Sequence, residues 1–225
     1  MSSENSDSPQ LRAGHWLPAA ADVRGNVVRM IAIAGFYGIH LLNVYLPGLE
    51  SSSVRASAGL AELPVSSTVH LSVSVLVFAW LMQAMGVHLA AMTKPLTRPL
   101  ALAVIVGDAI WLTAALCFST GATGPLVAGY FLIIGLAALR LDLWLIRWAT
   151  VATVLGYLFV LGATRWPLGL LKEIPVVSVP RYHQLMTIIA LVLMGVVLGQ
   201  TVRLGWGMVA AHLHQRDESS GVSDE

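Results

Sequence analysis

Apolar and polar residues in this sequence separate into six long apolar runs joined by short polar connections. A helix that spans a membrane needs about 20 mainly apolar residues. The runs do not alternate apolar and polar positions as the strands of a membrane barrel do. The pattern therefore predicts an all-α, integral membrane bundle of six transmembrane helices. These predicted helices cover residues 27–46, 67–92, 99–119, 124–139, 143–163 and 184–204.

The polar connections predict the domain organisation and the orientation in the membrane. Residues 1–26 form a polar N-terminal segment, residues 27–204 the transmembrane domain, and residues 205–225 a cytoplasmic helix extension with a disordered acidic tail. Nine of the 13 Lys and Arg residues lie near the N-terminus, in the second and fourth connections and at the C-terminal end. Because such residues favour the cytoplasmic face, both termini are predicted to be cytoplasmic, in a bacterial inner membrane. No basic patch directly precedes a short apolar run, so we expect no cleavable signal peptide.

Composition agrees with a lipid environment and excludes several classes of function. The chain is 56% hydrophobic and only 11% charged, against roughly 25% charged residues in soluble domains. A formal net charge of +1 gives no general attraction to nucleic acid. The single cysteine, Cys117, excludes an intrachain disulfide and a Cys-rich metal site.

Asp108 is the only acidic residue inside the six apolar runs. A carboxylate near the middle of a bilayer costs a few kcal/mol and marks either a functional site or an interior hydrogen-bonding centre. At about 1.5 Å per helical residue, Gln83 and Tyr130 on the neighbouring helices lie at a similar depth. We therefore hypothesise an intramembrane polar cluster of Asp108, Gln83 and Tyr130, in which burial favours a neutral carboxyl group. A proton or ligand role and a purely packing role both fit this cluster.

Three histidines from three predicted helices, His40, His70 and His183, fall in the same outer layer. Two imidazoles at matched depth could ligate haem axially, and three could hold a metal ion with an open position. The chain has no close ligand spacing such as HxxxH, so haem is the less favoured cofactor. Interfacial packing, quinone binding and pH sensing are the other roles open to these histidines.

The connection between the third and fourth apolar runs carries residues suited to a sharp helix start. Thr123 can cap the helix and Pro125 suits its first position. The free N–H groups of that helix then form a positive end that points outward. These groups could bond a quinone carbonyl or a lipid headgroup, although a good helix start alone also explains the residues.

This connection and the helices beside it resemble the six-helix membrane input region of RegB/PrrB- and PilS-like bacterial sensor histidine kinases. In that family a GG-x-x-[NS]-P-[FL] turn joins two helices on the outer side. Here Ala122 stands at the second Gly and Gly124 at the Asn or Ser. The resemblance implies a quinone-binding turn, and no kinase domain is expected after the sixth run. The residues of the implied site are Thr120, Gly121, Thr123, Gly124, Pro125 and Leu126.

The leading hypothesis is a non-enzymatic, stand-alone sensor or signalling input module that acts through a protein partner and responds to quinone. The first alternative is an accessory, redox-linked subunit of a larger membrane complex that binds haem or quinone. The second is a small transporter built around Asp108. Gly195 and Gly199 form a small-xxx-small pattern, which permits close packing either within the bundle or in a homodimer.

Overall fold

The computed structural model describes residues 9–45, 67–119, 121–166 and 180–221, and every regular element in these ranges is helical. The all-α prediction is therefore confirmed for this part of the chain. Two short 3-10 turns, Gly121–Thr123 and Pro125–Val127, precede the fourth α-helix. The α-helices are α1 (Pro9–Tyr45), α2 (Ser67–Thr93), α3 (Arg98–Cys117), α4 (Ala128–Ala138), α5 (Leu143–Arg165) and α6 (Arg181–Gly221).

Four of the described helices are long and apolar enough to cross a membrane. They are the segments His70–Thr93, Arg98–Cys117, Leu143–Arg165 and Arg181–Met208. Large apolar side chains on these helices point outward, such as Phe78 and Phe159, which are 62% and 64% exposed. Contiguous exposed apolar surface of this kind is rare on soluble monomers and is typical of contact with lipid or protein. Both features are typical of a helical membrane protein.

The fourth segment begins differently from the sequence prediction. The α-helical part starts at Ala128 rather than near residue 124, and Val127 before it gives no side-chain cap. At one end of the bundle, a Cβ at Gly121 would lie 3.1 Å from Thr164. At the other end, Leu139 lies beside Gly25 of α1. The fourth segment therefore runs along the bundle as 3-10 turns first and as an α-helix of 11 residues afterwards.

The first and last helices are longer than their apolar runs. Helix α1 has 37 residues and starts at Pro9, and α6 has 41 residues and continues to Gly221. At 1.5 Å per residue these helices are about 55 Å and 60 Å long, roughly twice the hydrocarbon thickness of a bilayer. Hydropathy marks only the part of a helix that is apolar, so it places the start of α1 too far inside. Beyond residue 204, α6 continues through the range predicted as a helix extension and reaches Gly221.

Helix α5 is the centre of the bundle, where it packs against α3, α4 and α6, while α1 packs mainly on α2. A Cβ added to Gly195 of α6 would collide with the side chain of Thr150 on α5. One at Gly199 would make only an ordinary contact with Leu143 at 3.9 Å. The small residue at 195 therefore permits close helix packing within the bundle.

Candidate functional site

Arg29 of α1 and Asp108 of α3 form an ion pair inside the bundle. The Arg29 Nε and Asp108 Oδ2 atoms are 2.7 Å apart, and the two side chains are 11% and 3% exposed. Trp80 of α2 donates its indole N–H to Asp108 Oδ1 at 2.9 Å. The carboxylate of Asp108 therefore has a cation on one oxygen and an indole donor on the other.

The two other members of the predicted polar cluster have partners of their own. Trp111 donates its indole N–H to Gln83 Oε1. The Tyr130 hydroxyl lies 2.8 Å from the hydroxyl of Thr113. The structure thus gives Asp108, Gln83 and Tyr130 separate hydrogen-bond partners instead of joining them. Gln83 still lies close by, against Gly107 of α3.

A second ion pair joins Asp22 of α1 to Arg140, which follows α4. Arg140 Nε lies 2.7 Å from Asp22 Oδ1, and the Asp22 side chain is only 1% exposed. Arg140 Nη2 also donates to Asp22 Oδ2 at 3.1 Å and to the Leu96 carbonyl at 2.8 Å. The Leu96 N–H donates to Asp22 Oδ2 at 3.1 Å. Asp22 therefore fixes the first part of α1 to both the α2–α3 connection and the end of the fourth segment.

Asn26 links the two ion pairs along α1. It donates its amide to the Ala84 carbonyl of α2 at 2.8 Å and accepts a hydrogen bond from Arg29 Nη1 at 2.6 Å. Residues four and three positions apart share a face of an α-helix, so Asp22, Asn26 and Arg29 form one polar stripe. We call the set Asp22, Asn26, Arg29, Asp108 and Arg140 the charge network.

The charge network is neutral as a whole but strongly constrains the helices that carry it. Moving each ion from water into a low-dielectric interior costs several kcal/mol, and the attraction within a pair offsets this cost only when the geometry is good. Arg29 and Asp22 must therefore stay close to their partners on α3 and after α4. This requirement sets the position of α1 relative to the rest of the bundle.

The sequence patterns pointed to Asp108 but not to its charged partners. Arg29 and Arg140 were counted among the basic residues that predict the orientation in the membrane, and no role was predicted for Asp22. A helical-face count would have grouped Asp22, Asn26 and Arg29 on the side of α1 that also holds Ile33, which is buried at 2% exposure. That face is the signal from which an inward-pointing polar stripe could have been predicted.

The predicted outer histidines are only partly brought together. His40 Nε2 of α1 lies 3.2 Å from His70 Nδ1 of α2, and the two rings stack with centroids 5.4 Å apart. Next to them, Tyr37 donates to Ser74 at 3.0 Å, and Ser74 donates to the His70 carbonyl. His183 is exposed and its ring packs against Tyr182. Across the described ranges, no group of three or more His, Cys, Asp or Glu side chains is arranged to hold a metal ion.

The turn implied as a quinone site is described only in part. Thr120 lies outside the described residues, as do the side chains of Thr123 and Pro125. Gly121 has a φ of 65°, a left-handed conformation that favours glycine. The Gly124 N–H donates to the Gly121 carbonyl and the Val127 N–H to the Gly124 carbonyl, so these two donors are used inside the turn. Leu126 packs against the core.

Comparison of the chain with protein-family models, with characterised proteins and with solved structures gives no match.

Proposed function

We propose that this protein is a non-enzymatic sensor or signalling subunit of the bacterial inner membrane that passes a signal to a protein partner. In this proposal the chain spans the membrane six times with both termini in the cytoplasm, and a quinone at residues 120–126 is one candidate stimulus. The observation that carries the proposal is the continuity of α6. Its apolar part, Arg181–Met208, can cross a membrane, and the same helix continues to Gly221.

A continuous helix is a direct way to move a signal out of a membrane. Small shifts and rotations of packed helices are common elements of switching proteins. About half of the 60 Å length of α6 is needed for the hydrocarbon layer, so the rest is available to a partner in the aqueous phase. The Trp206 indole donates to the Leu141 carbonyl at 3.2 Å, which couples α6 to the end of the fourth segment beside Arg140.

The charge network supports the same proposal from the other end of the chain. Ion pairs have discrete, short-range arrangements, so we propose that α1 has a second position in which these pairs are broken. Coupling between distant sites requires such a two-state element, which both sites can bias. In this proposal α1 is that element, and Arg29 and Asp22 are its attachments.

In vivo photo-crosslinking tests the proposal. A photoreactive amino acid is placed at position 212, on the extension of α6, and in a control at position 196, where Val196 is 53% exposed on the apolar part of the helix. We expect a kinase core or response regulator to be captured from position 212 and not from 196. Capture of respiratory subunits would favour the accessory-subunit alternative, and absence of any specific adduct at 212 would contradict the signalling proposal. An optical spectrum of the same purified sample tests for haem.

A transporter is the second candidate, and the position of Asp108 within the charge network favours it. Charged residues inside membrane bundles often mark the path of an ion or a proton. Uptake into proteoliposomes that is abolished by Asp108→Asn would support transport. Equal uptake by the wild type and by empty liposomes would exclude it for the substrates tested.

A further inference from the structure

A cavity of about 40 Å³ lies between the two ion pairs of the charge network. All five residues of the network line it, together with apolar side chains that include Ala101, Ile105 and Ile133. One water molecule needs about 10–15 Å³ of such volume. The cavity therefore has room for about three or four water molecules.

Several polar atoms of the charge network are left without a hydrogen bond. Arg140 Nη1 is buried and has no partner within the described ranges. Asp22 Oδ1 and Arg29 Nε lie 2.7 Å from their counter-ions, yet they too lack an aligned hydrogen bond. A buried polar atom without a partner costs about 1–3 kcal/mol. The five polar side chains that line the cavity offer the two to four polar partners that a buried water requires.

The lining residues show which parts of the bundle the two ends of the cavity lie near. Leu96, which lines it, belongs to the connection between α2 and α3, beside Asp22 and Arg140. Asp108 lies at the deeper end. Beyond Asp108, a smaller cavity of about 10 Å³ is lined mainly by apolar side chains such as Ile33, Phe36 and Leu132. Apolar cavities stay dry, so a polar path from the α2–α3 connection ends at Asp108.

We propose that the cavity is a hydrated inlet: a site for bound water that bridges the two ion pairs and connects Asp108 to solvent from the end of the bundle that holds Leu96 and Arg140. The inlet does not depend on the signalling role proposed above. It explains how two ion pairs are accommodated inside the bundle, because bound water adds polar partners for the charged side chains that line the cavity.

Hydroxyl-radical footprinting of the full chain in lipid nanodiscs tests the inlet. Radicals generated by X-ray pulses from bound water oxidise the side chains beside that water, and mass spectrometry locates the products. Ile105 and Ile133 line the cavity and are each 4% exposed, whereas Ile110 and Ile189 face outward at 61% and 47%. We expect Ile105 and Ile133 to be oxidised severalfold faster than Ile110 and Ile189. Equal or slower oxidation of the two cavity isoleucines would overturn the proposal.

A matched pair of variants distinguishes oxidation caused by water bound in the cavity from oxidation caused by general exposure to solvent. Ala101→Val adds volume to the wall of the cavity without removing a charge, and Ala103→Val makes the same change on the exposed face of α3. Oxidation of Ile105 and Ile133 should fall severalfold in the first variant and stay unchanged in the second. Unchanged oxidation in an Ala101→Val protein that keeps its helix content and monodisperse elution would count against bound water. If that variant does not fold, the wild-type comparison alone decides.

Discussion

Arg29 and Asp108 carry opposite charges at a depth where either charge alone would be costly. Their 2.7 Å contact and the Trp80 indole N–H give each oxygen of the Asp108 carboxyl group a polar partner. Depth matching from the sequence placed Asp108 next to Gln83 and Tyr130 and favoured a neutral carboxyl group. The structure adds a cation from α1 beside this carboxyl group, which depth matching alone did not place there.

Replacing Asp108 by Asn should destabilise the protein strongly. Asn keeps the shape and can still accept the Trp80 hydrogen bond, but it leaves the Arg29 charge buried without a counter-ion. Removing one partner of a buried ion pair typically costs about 3–5 kcal/mol. We expect a clear fall in the thermal unfolding midpoint, measured on the purified protein in nanodiscs.

The double variant Arg29→Gln/Asp108→Asn is the control for this prediction. It removes both charges, so it should be less destabilised than the sum of the two single variants, as expected for residues in direct contact. Additive effects would mean that the ion pair makes no energetic contribution in the membrane. An Asp108→Asn variant with unchanged stability and unchanged signalling would leave Asp108 with no assigned role.

The pair of histidines at the other end of α1 should make a smaller contribution. His40→Phe keeps the stacking with Tyr37 and His70 but removes the nitrogen that contacts His70. A net loss of about 0.5–1.5 kcal/mol is typical of one hydrogen bond. Thermal unfolding should show this loss, whereas His183→Phe, at an exposed position, should stay within about 0.5 kcal/mol of the wild type. A zinc-induced rise in the unfolding midpoint that needs His40 and His70 would instead favour the metal-site prediction.

At the scale of helices, the sequence predicted where elements lie more reliably than how they face each other. Helices α2, α3 and α5 start close to their predicted positions because their apolar runs are bounded by proline or charged residues. The spacing of Asp22, Asn26 and Arg29 could have predicted the inward face of α1. It could not have predicted the partners of these residues, because the rotation of α3 that turns Asp108 toward α1 depends on tertiary packing.

The turn before α4 shows a second limit of local signals. Thr123 and Pro125 are residue types that favour a sharp α-helix start, yet the chain forms 3-10 turns as far as Val127. Gly121 lies against Thr164, so packing on the end of α5 constrains the turn. Tertiary contact has overridden the local preference at this point.

The two glycines of the small-xxx-small pattern in α6 should respond differently to alanine. Gly195→Ala places a methyl group 2.9 Å from Thr150 Cγ2 and still closer to its hydroxyl, and overpacking of this kind costs about 1–3 kcal/mol. Gly199→Ala meets Leu143 only at 3.9 Å. This variant should be neutral or up to about 1 kcal/mol more stable, because alanine is the better helix former. Thermal unfolding of both variants in the same lipid checks the contrast.

A rescue variant and an oligomerisation assay complete this comparison. Thr150→Ala removes the two atoms that a methyl group at 195 meets first, so it should restore part of the stability that Gly195→Ala loses. Equal losses at positions 195 and 199, accompanied by dissociation of a dimer in cross-linking, would assign the pattern to a homodimer instead.

At the scale of the whole molecule, the charge network lies at the same end of the bundle as the extensions of α1 and α6 beyond their apolar runs. Asp22 meets Arg140 and the α2–α3 connection there, and Trp206 of α6 meets Leu141. The Arg98–Asp142 ion pair, at 3.0 Å, belongs to the same end. The hydrated inlet opens toward this end, so the solvent that reaches Asp108 and the helix extensions that can bind a partner share one side of the membrane.

That side should be the cytoplasm, because Lys94, Arg98, Arg140, Arg147 and Arg203 all lie at or near it and basic residues are retained on the cytoplasmic face. Fusions to alkaline phosphatase, which is active only outside the cytoplasm, and to green fluorescent protein, which is fluorescent inside, measure the orientation in bacterial cells. Fusions at either terminus should fluoresce and lack phosphatase activity. A phosphatase inserted at position 55, in the first predicted outer connection, should be active. Phosphatase activity at one terminus only would mean an odd number of spans, and the 11-residue α4 would then be the segment that does not cross.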